Sequence, residues 1–333
     1  MEVKVCPSLL TEGYNTYSPA ALRRLFNGAS VSYQLDFDFE KDVDRQVIAE
    51  NMGRISVSGA QEKMSAVVDN GTIRLALVGE RSTHILKPTP LDYDLVARKQ
   101  IPANEHLTMQ IASQVYGIIT AENGLCFDRS GHLAYITKRF DILPDGNKAR
   151  MDDFAVIVGR NEQTDGKYFK YEGCYEDIAL AIKKVIPAWP VALDRFFRLV
   201  LFNYIYGNGD AHMKNFSIIN ADGENRLAPA YDLLNTSLHL NGDDLGLKGG
   251  LLRNGWKSDV FENTGHPCRT DFETFGEQID LSPRRISAAI KDFLVLPDKT
   301  ISLIERSFLD KKMQRKYLSI VKERISRFNR HSD

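Results

Sequence analysis

The run from Pro190 to Tyr206 limits what this chain can fold into more than any other segment. Its apolar side chains, from Leu193 through Phe196, Phe197 and Leu201 to Ile205, fall on nearly every face of a helix. Such a helix is stable only when other elements enclose it, so it reads as the spine of a lobe. The sequence supplies the enclosing elements. Helical periodicity marks Asp152 to Val158, Tyr175 to Val185, Asp271 to Gln278 with Thr270 as N-cap, Pro283 to Phe293 and Met313 to Phe328.

Upstream of Asp141 the period changes. Ser18 and Pro19 have the form of an N-cap and first helical residue, for a helix running through Leu22 and Leu25 to Asn27. Between Ile55 and Lys87 the pattern is β. Met64, Ala66 and Val68 alternate, Asp69-Asn70-Gly71 signals a hairpin, and Ile73 to Val78 and His84 to Lys87 return as strands. Leu107, Ile111 and Val115 then recur at helical spacing before Gly117, which predicts an amphipathic helix. Strands around Ile118 to Phe127 and Leu133 to Thr137 follow. The expected class is α+β with two lobes: a β-rich N-lobe over residues 1–140 and an all-helical C-lobe over residues 141–333. Short β runs at Phe216 to Ile219 and Arg226 to Ala228 lie between the loops of the second lobe.

Bulk composition excludes several function classes. A 333-residue chain that is 43% hydrophobic and 26% charged can bury one large core or two smaller ones. Net charge is −1 at a pI of 6.7, without the cationic surplus of a free-standing nucleic-acid binder, so DNA contact would run through a partner. The start, MEVKVCPSLL, has no signal-peptide apolar region, and no later run is long enough for a membrane span, which predicts a cytoplasmic protein with no membrane contact. Cys6, Cys126, Cys174 and Cys268 are far apart and read as reduced thiols rather than a disulfide framework or zinc site.

The densest functional cluster is Gly207-Asn208-Gly209-Asp210-Ala211-His212-Met213-Lys214-Asn215, followed by Pro229-Ala230-Tyr231-Asp232. Phosphoryl transfer needs one carboxylate to orient the attacking hydroxyl, and a second carboxylate with an amide oxygen to hold Mg²⁺ on the nucleotide phosphates. Asp210, Asp232 and Asn215 supply those types, and Asp210 and Asn215 have the separation found in the protein-kinase catalytic loop. A plain turn with self-capping side chains would use the same residue types. Further pieces lie in kinase order: Lys87 at a strand end, and Glu105 in the following helix as its candidate ion-pair partner. The Ser56-Val57-Ser58-Gly59-Ala60-Gln61-Glu62-Lys63 segment is a candidate phosphate-covering loop. It is neither a G-x-G-x-x-G nor a Walker A sequence, so a P-loop enzyme is not indicated.

Taken in order, Arg54 to Lys63, Thr83 to Lys87, Asn104-Glu105, Lys138-Arg139-Phe140-Asp141, the Asp210 loop and Tyr231-Asp232 resemble the motifs of HipA-type kinases. Asp153-Phe154 and Lys170-Tyr171-Glu172 match two further landmarks of that family, and the resemblance runs from near Glu50 to near Leu240. It implies a serine/threonine protein kinase, the toxin of a type II toxin–antitoxin pair, with ATP and Mg²⁺ as cofactors. By the resemblance Asp210 is the catalytic base, and Asn215 and Asp232 bind Mg²⁺. Ser58, Gly59, Ala60, Gln61, Glu62 and Lys63 form the nucleotide loop, with Lys87, His212, Lys214, Asn215 and Tyr231 also facing ATP. Lys138, Arg139 and Phe140 look like the adenine-contacting hinge, although Lys138 stands where other members carry an acidic residue. Ser56 and Ser58 occupy the place where these kinases phosphorylate themselves.

The Ser56 loop lies close to the start of the chain, which resembles the short, HipT-like form of the family. The implied partners are a HipB-like DNA-binding antitoxin, a separate small HipS-like protein, and a protein substrate such as an aminoacyl-tRNA synthetase. Two other readings fit the same residues: a small-molecule or lipid kinase, separable by a metabolite panel, and a non-catalytic kinase-like partner of a repressor. The second would be marked by loss of Asp210, Asn215, Asp232 or Lys87, and none is lost. The basic residues from Lys311 to Arg330 flank an apolar stripe of Met313, Tyr317, Val321 and Phe328, which reads as a docked helix with a solvated face. His212 and His239 read as loop struts rather than a metal pair.

Overall fold

Strands β1 (Met64–Asp69), β2 (Thr72–Leu75), β3 (His84–Pro88), β4 (Asn123–Phe127) and β5 (Leu133–Lys138) form an antiparallel sheet in the order β2-β1-β3-β5-β4. The structure is a computed structural model and describes residues 3–39, 63–90, 95–143 and 145–330. Asn70 and Gly71 both take positive φ, 48° and 79°, as a tight hairpin between β1 and β2 requires. β2 ends earlier than its apolar run suggests, leaving Leu77 and Val78 exposed. The cause is Glu80, whose carboxylate accepts from the Leu77 N–H at 2.8 Å and from the Arg74 guanidinium, turning the chain before those residues can pair.

Strand periodicity assigns the two faces of the sheet. Met64, Ala66, Leu86 and Ile136 pack on the N-terminal segment, through Tyr17, Leu25 and Phe26. That segment holds the Pro19–Phe26 helix, whose N-cap Ser18 accepts from the Ala21 N–H. The opposite face presents Leu125 and Tyr135 to the Ile101–Gln114 helix. Lys87, paired in register with Tyr135, shares this face.

The Ile101–Gln114 helix is buried continuously from Ile101 to Ala112, rather than amphipathic. The sheet covers one side and the C-terminal elements the other, so its polar side chains find partners on different elements. His106 Nε2 meets Ser8 O at 2.6 Å, Thr108 Oγ1 meets Tyr317 Oη at 2.9 Å, and Gln110 donates to Asn123 Oδ1 at 2.9 Å. Apolar periodicity cannot reveal such a helix, because the polar positions are satisfied by contacts distant in sequence.

In the helical region the spine is Trp189–Ile205, buried through Phe196, Phe197, Leu201 and Phe202. Tyr175–Val185, Pro283–Lys291 and Lys311–Phe328 pack around it. The region also holds a three-stranded sheet, β6 (Arg150–Asp153), β7 (Ser217–Ala221) and β8 (Glu224–Leu227), in that order. The helix expected over Asp152 to Val158 is present but shorter: Asp152 and Asp153 end β6, and a one-turn helix, Phe154–Ile157, follows, which the Asp153 carboxylate caps by accepting from the Val156 N–H at 3.0 Å. The Arg269–Gln278 helix starts before Thr270. Its N-cap is Cys268, whose N–H donates to the Asp271 carboxylate at 2.8 Å. The Lys311–Phe328 helix docks through Tyr317, Val321 and Phe328, and Arg324 pairs with Asp244 at 2.6 Å. Lys311, Lys312, Arg315 and Lys322 are exposed. The four cysteines are buried and unpaired. Among the described residues no helix is long and apolar enough to cross a membrane.

Candidate active site

The spine helix ends in the loop that carries the most polar side chains. Gly207, at φ 69°, turns the chain out of the helix, and a Cβ there would meet Asn235 Oδ1 at 2.8 Å. Asn208 donates to Asn203 Oδ1 at 2.9 Å, and Gly209 N–H donates to Thr236 Oγ1 at 2.9 Å. Gly209 sits so close to the next loop that a Cβ would fall 2.3 Å from Asp243 O. These contacts fix the backbone leading into Asp210, and the short helix Met213–Asn215 then leads into β7.

Asp210 accepts a hydrogen bond from Tyr171 Oη at 2.7 Å. Burial pushes its carboxyl above the ordinary value, against the opposing effects of the Tyr171 hydroxyl and the Lys170 ammonium. His212 is buried and held neutral, its pKa lowered to about 3 by burial and by Lys170. Its ring stands edge-on to Tyr171 at 5.1 Å.

Asp232 faces this loop from the segment after β8. Its φ of 55° lies in the left-handed region, where a non-glycine residue is strained and where Asp is among the better tolerated. Lys63 Nζ is 3.0 Å from one carboxylate oxygen, and Lys87 Nζ contacts the other. Against the cost of burial, the two ammonium groups hold Asp232 well below the usual carboxylate range. Lys87 also reaches Glu105 Oε1 at 2.5 Å, with both side chains almost wholly buried. Burial raises the Glu105 carboxyl, whereas Asp232 and Glu105 together keep Lys87 charged.

Asn104, the neighbour of Glu105, ties the helix to the Asp232 segment. Its side-chain amide donates to Asn235 O at 2.9 Å and accepts from Asn235 N–H at 3.3 Å, as a paired strand would. His239 completes the network, with Nε2 2.9 Å from Asn104 Nδ2 and Nδ1 2.7 Å from Val96 O. Both of its ring nitrogens are thus engaged in the scaffold.

Ion pairs and charge interactions thus link Lys63, Lys87, Glu105, Asp210, His212 and Asp232, while Asn215 joins them through its N–H to His212 O at 2.9 Å and Tyr231 directly precedes Asp232. Tyr231 Oη bonds Ser217 Oγ at 2.5 Å and Lys214 O at 2.9 Å, and its ring lies 5.9 Å from Phe140. Two of the hinge side chains are engaged elsewhere. Lys138 Nζ donates to Asn27 Oδ1 at 2.5 Å and to Arg24 O, closing the end of the Pro19–Phe26 helix, and Arg139 forks onto Asp141. Any nucleotide contact at Lys138 would have to come from its backbone. Ser56, Ser58, Gly59, Ala60, Gln61 and Glu62 lie outside the described residues.

The donor set fits a divalent cation with phosphates. Asn215 Oδ1 is buried with no hydrogen-bond partner, the Asp232 carboxyl is held well below the usual carboxylate range by Lys63 and Lys87, and oxygens of these two types suit a hard cation. The orphaned atoms also include Lys170 Nζ and His212 Nδ1. Two residues of the site were not assigned a role from sequence: Tyr171, which holds Asp210, and Lys170. They belong to Lys170-Tyr171-Glu172, a motif visible in the chain whose chemistry appears only once it is folded beside Asp210.

A β-sheet lobe whose lysine meets a helix carboxylate, set on a helical lobe bearing the Asp210 and Asp232 loops, defines the two-lobe kinase-like fold class. The chain belongs to the HipA-like family: the family model for the HipA-like C-terminal domain matches residues 55–298. A putative kinase of Haemophilus influenzae is 26% identical over 329 residues, covering 91% of this chain and 90% of the relative. The putative kinase Y4dM of Sinorhizobium fredii is 32% identical over 242 residues, covering 67% of this chain and 56% of the relative. In fold, the chain is similar to HipA of Shewanella oneidensis, solved with HipB and operator DNA, at a TM-score of 0.64 and 20% identity over 83% of this chain and 65% of that one. The Helicobacter pylori proinflammatory kinase CtkA gives a TM-score of 0.52 at 15% identity, over 79% of this chain and 93% of that one.

Proposed function

We propose that the protein is an ATP-dependent serine/threonine protein kinase that acts as the toxin of a toxin–antitoxin pair. The observation that supports this reading is the Lys87 ion pair to both Glu105 and Asp232, with Asp232 in electrostatic contact with Asp210 and with Asn215 Oδ1, on the Asp210 loop, left without a protein partner.

In this reading Asp210 accepts the proton of the attacking hydroxyl. Its raised pKa strengthens it as a base, and Tyr171 fixes its orientation. Asn215 and Asp232 would hold Mg²⁺, which when bound offsets charge on the phosphates. Lys87, anchored by Glu105, contacts the α- and β-phosphates, and residues 58–63 cover them. His212, Lys214 and Tyr231 line the nucleotide side, with Lys138 to Phe140 at the adenine. Ser56 and Ser58 are the proposed sites of autophosphorylation, where added negative charge beside the nucleotide would lower transfer.

The partner reading rests on family membership and on the Shewanella HipA structure, which contains HipB and operator DNA. A HipB-like antitoxin would carry DNA contact for a chain with net charge −1. A small HipS-like protein is the second proposed partner, and a serine of an aminoacyl-tRNA synthetase the proposed acceptor, with translation arrest as the outcome. Phosphoproteomics of cells expressing the parent chain or Asp210→Asn tests this. One serine of a translation enzyme should gain phosphate in the first culture alone, and identical phosphoproteomes would remove the proposal.

A further inference from the structure

Beside Asp210 lies a buried cation that the kinase reading leaves without a task. Lys170 is 3% exposed, and its ammonium has no hydrogen-bond partner. The Tyr171 ring, with its centroid 4.9 Å from Nζ, offers only a cation–π contact. An unpaired buried ammonium is costly, so it is retained where an anion is to be met. The carboxylates near it have other partners: Asp210 takes the Tyr171 hydroxyl, and Asp232 is held by Lys63 and Lys87.

The segment that carries Lys170 is held rigidly against the catalytic loop. Lys248 N–H donates to Tyr171 O at 2.9 Å, Gly249 N–H donates to Gly173 O at 2.8 Å, and Lys248 Nζ pairs with Glu172 at 2.5 Å. On the other side a Cβ at Gly173 would fall 2.7 Å from Met213 Cε, so this turn packs directly on a side chain of the catalytic loop. Lys170 is thus placed beside the base before any ligand arrives, the arrangement that makes a fixed charge effective in a transition state.

We propose that Lys170 is a catalytic residue that binds the phosphoryl group in flight. The inference deepens the kinase reading and rests on it. In the step, a bond forms from the acceptor hydroxyl oxygen to the γ-phosphorus as the bond from that phosphorus to the β,γ-bridging oxygen breaks. ADP leaves with the bridging oxygen and its electron pair, and the hydroxyl proton passes to Asp210. Lys170 gives up no proton. Its charge faces the equatorial oxygens, where negative charge is spread as transfer proceeds.

The test compares MgADP with MgADP plus aluminium fluoride, a mimic of the phosphoryl group in flight, by titration calorimetry on the full chain. The parent chain should bind the mimic about 100-fold more tightly than MgADP alone. Lys170→Met and Lys170→Gln should lose most of that gain while binding MgADP within about threefold of the parent, and Lys170→Arg should keep part of it. In transfer assays kcat should fall about 100- to 1000-fold, with KM for ATP little changed. Circular dichroism and a thermal melt establish that each variant is folded. A variant that kept the full aluminium fluoride gain, or lost MgADP affinity in the same proportion, would overturn the role of Lys170 and leave the kinase reading standing. A parent chain that bound no MgADP would overturn both.

Discussion

Replacing Lys87 by Met should make the stability of this protein depend on pH in a calculable way. The substitution keeps most of the side-chain volume and removes the cation 2.5 Å from Glu105, whose side chain is 2% exposed. Burial already pushes the Glu105 carboxyl up in the parent. Without Lys87 nothing offsets that push except the more distant Lys63, and the nearby Asp232 adds to it. The carboxyl then takes up a proton rather than stay charged, so protonation caps the penalty. For an ordinary glutamate value near 4.3, that cap is about 3.7 kcal/mol at pH 7 and about 1 kcal/mol at pH 5. The sign follows from proton counting. The folded variant binds a proton that the unfolded chain releases, so its stability falls as pH rises from the ordinary glutamate value toward the raised one. Part of this fall is already present in the parent, which makes the calculated difference of about 2.7 kcal/mol between the two pH values an upper bound on the extra loss. Urea unfolding of parent and variant at pH 5, 6 and 7 measures it, and adding Glu105→Gln to the variant should abolish the extra pH dependence. A penalty equal at all three pH values, or unchanged by Glu105→Gln, would refute the buried-charge reasoning.

Three other substitutions probe the scaffold. Gly209→Ala should cost about 1–3 kcal/mol and reduce transfer, because its Cβ would collide with the Asp243 carbonyl and no flexible side chain can move aside; an unchanged melting temperature would contradict this. Asp210→Asn should be at least as stable as the parent at pH 7, since burial raises the Asp210 carboxyl and the charged form therefore costs stability as pH rises above the ordinary aspartate value. That advantage should vanish near pH 3, and a variant clearly less stable at pH 7 would argue against it. Asn104→Ala should cost about 1–3 kcal/mol by stripping partners from the Asn235 backbone and His239, as denaturant midpoints would report.

Local signals read the regular elements well. The Ser18 cap, the Asn70-Gly71 hairpin and the all-apolar spine each express a short-range rule, and each is present in the structure. The misreadings arose where distant contacts override local pattern. β2 stops because Glu80 recruits Leu77 and Arg74, and the Ile101–Gln114 helix hides polar residues because Ser8, Asn123, Asn235 and Tyr317 satisfy them. In the cleft, the types and order of Lys87, Glu105, Asp210, Asn215 and Asp232 were legible. The double hold of Lys63 and Lys87 on Asp232 was not, nor was the Tyr171 bond to Asp210, because each joins segments far apart in the chain. The side-chain role of Lys138 was likewise hidden: its ammonium closes the end of the Pro19–Phe26 helix, which leaves its backbone for the hinge contact expected there.

The central claim is that the Asp210 cleft moves the γ-phosphoryl group of ATP to a protein serine or threonine. The direct measurement is incubation of the purified chain with γ-labelled ATP, Mg²⁺ and a cell lysate divided into protein and metabolite fractions, followed by phosphoamino-acid analysis. The account predicts label on serine or threonine in the protein fraction with the parent chain, and none with Asp210→Asn. Label confined to the metabolite fraction, or equal protein labelling by Asp210→Asn, would contradict it.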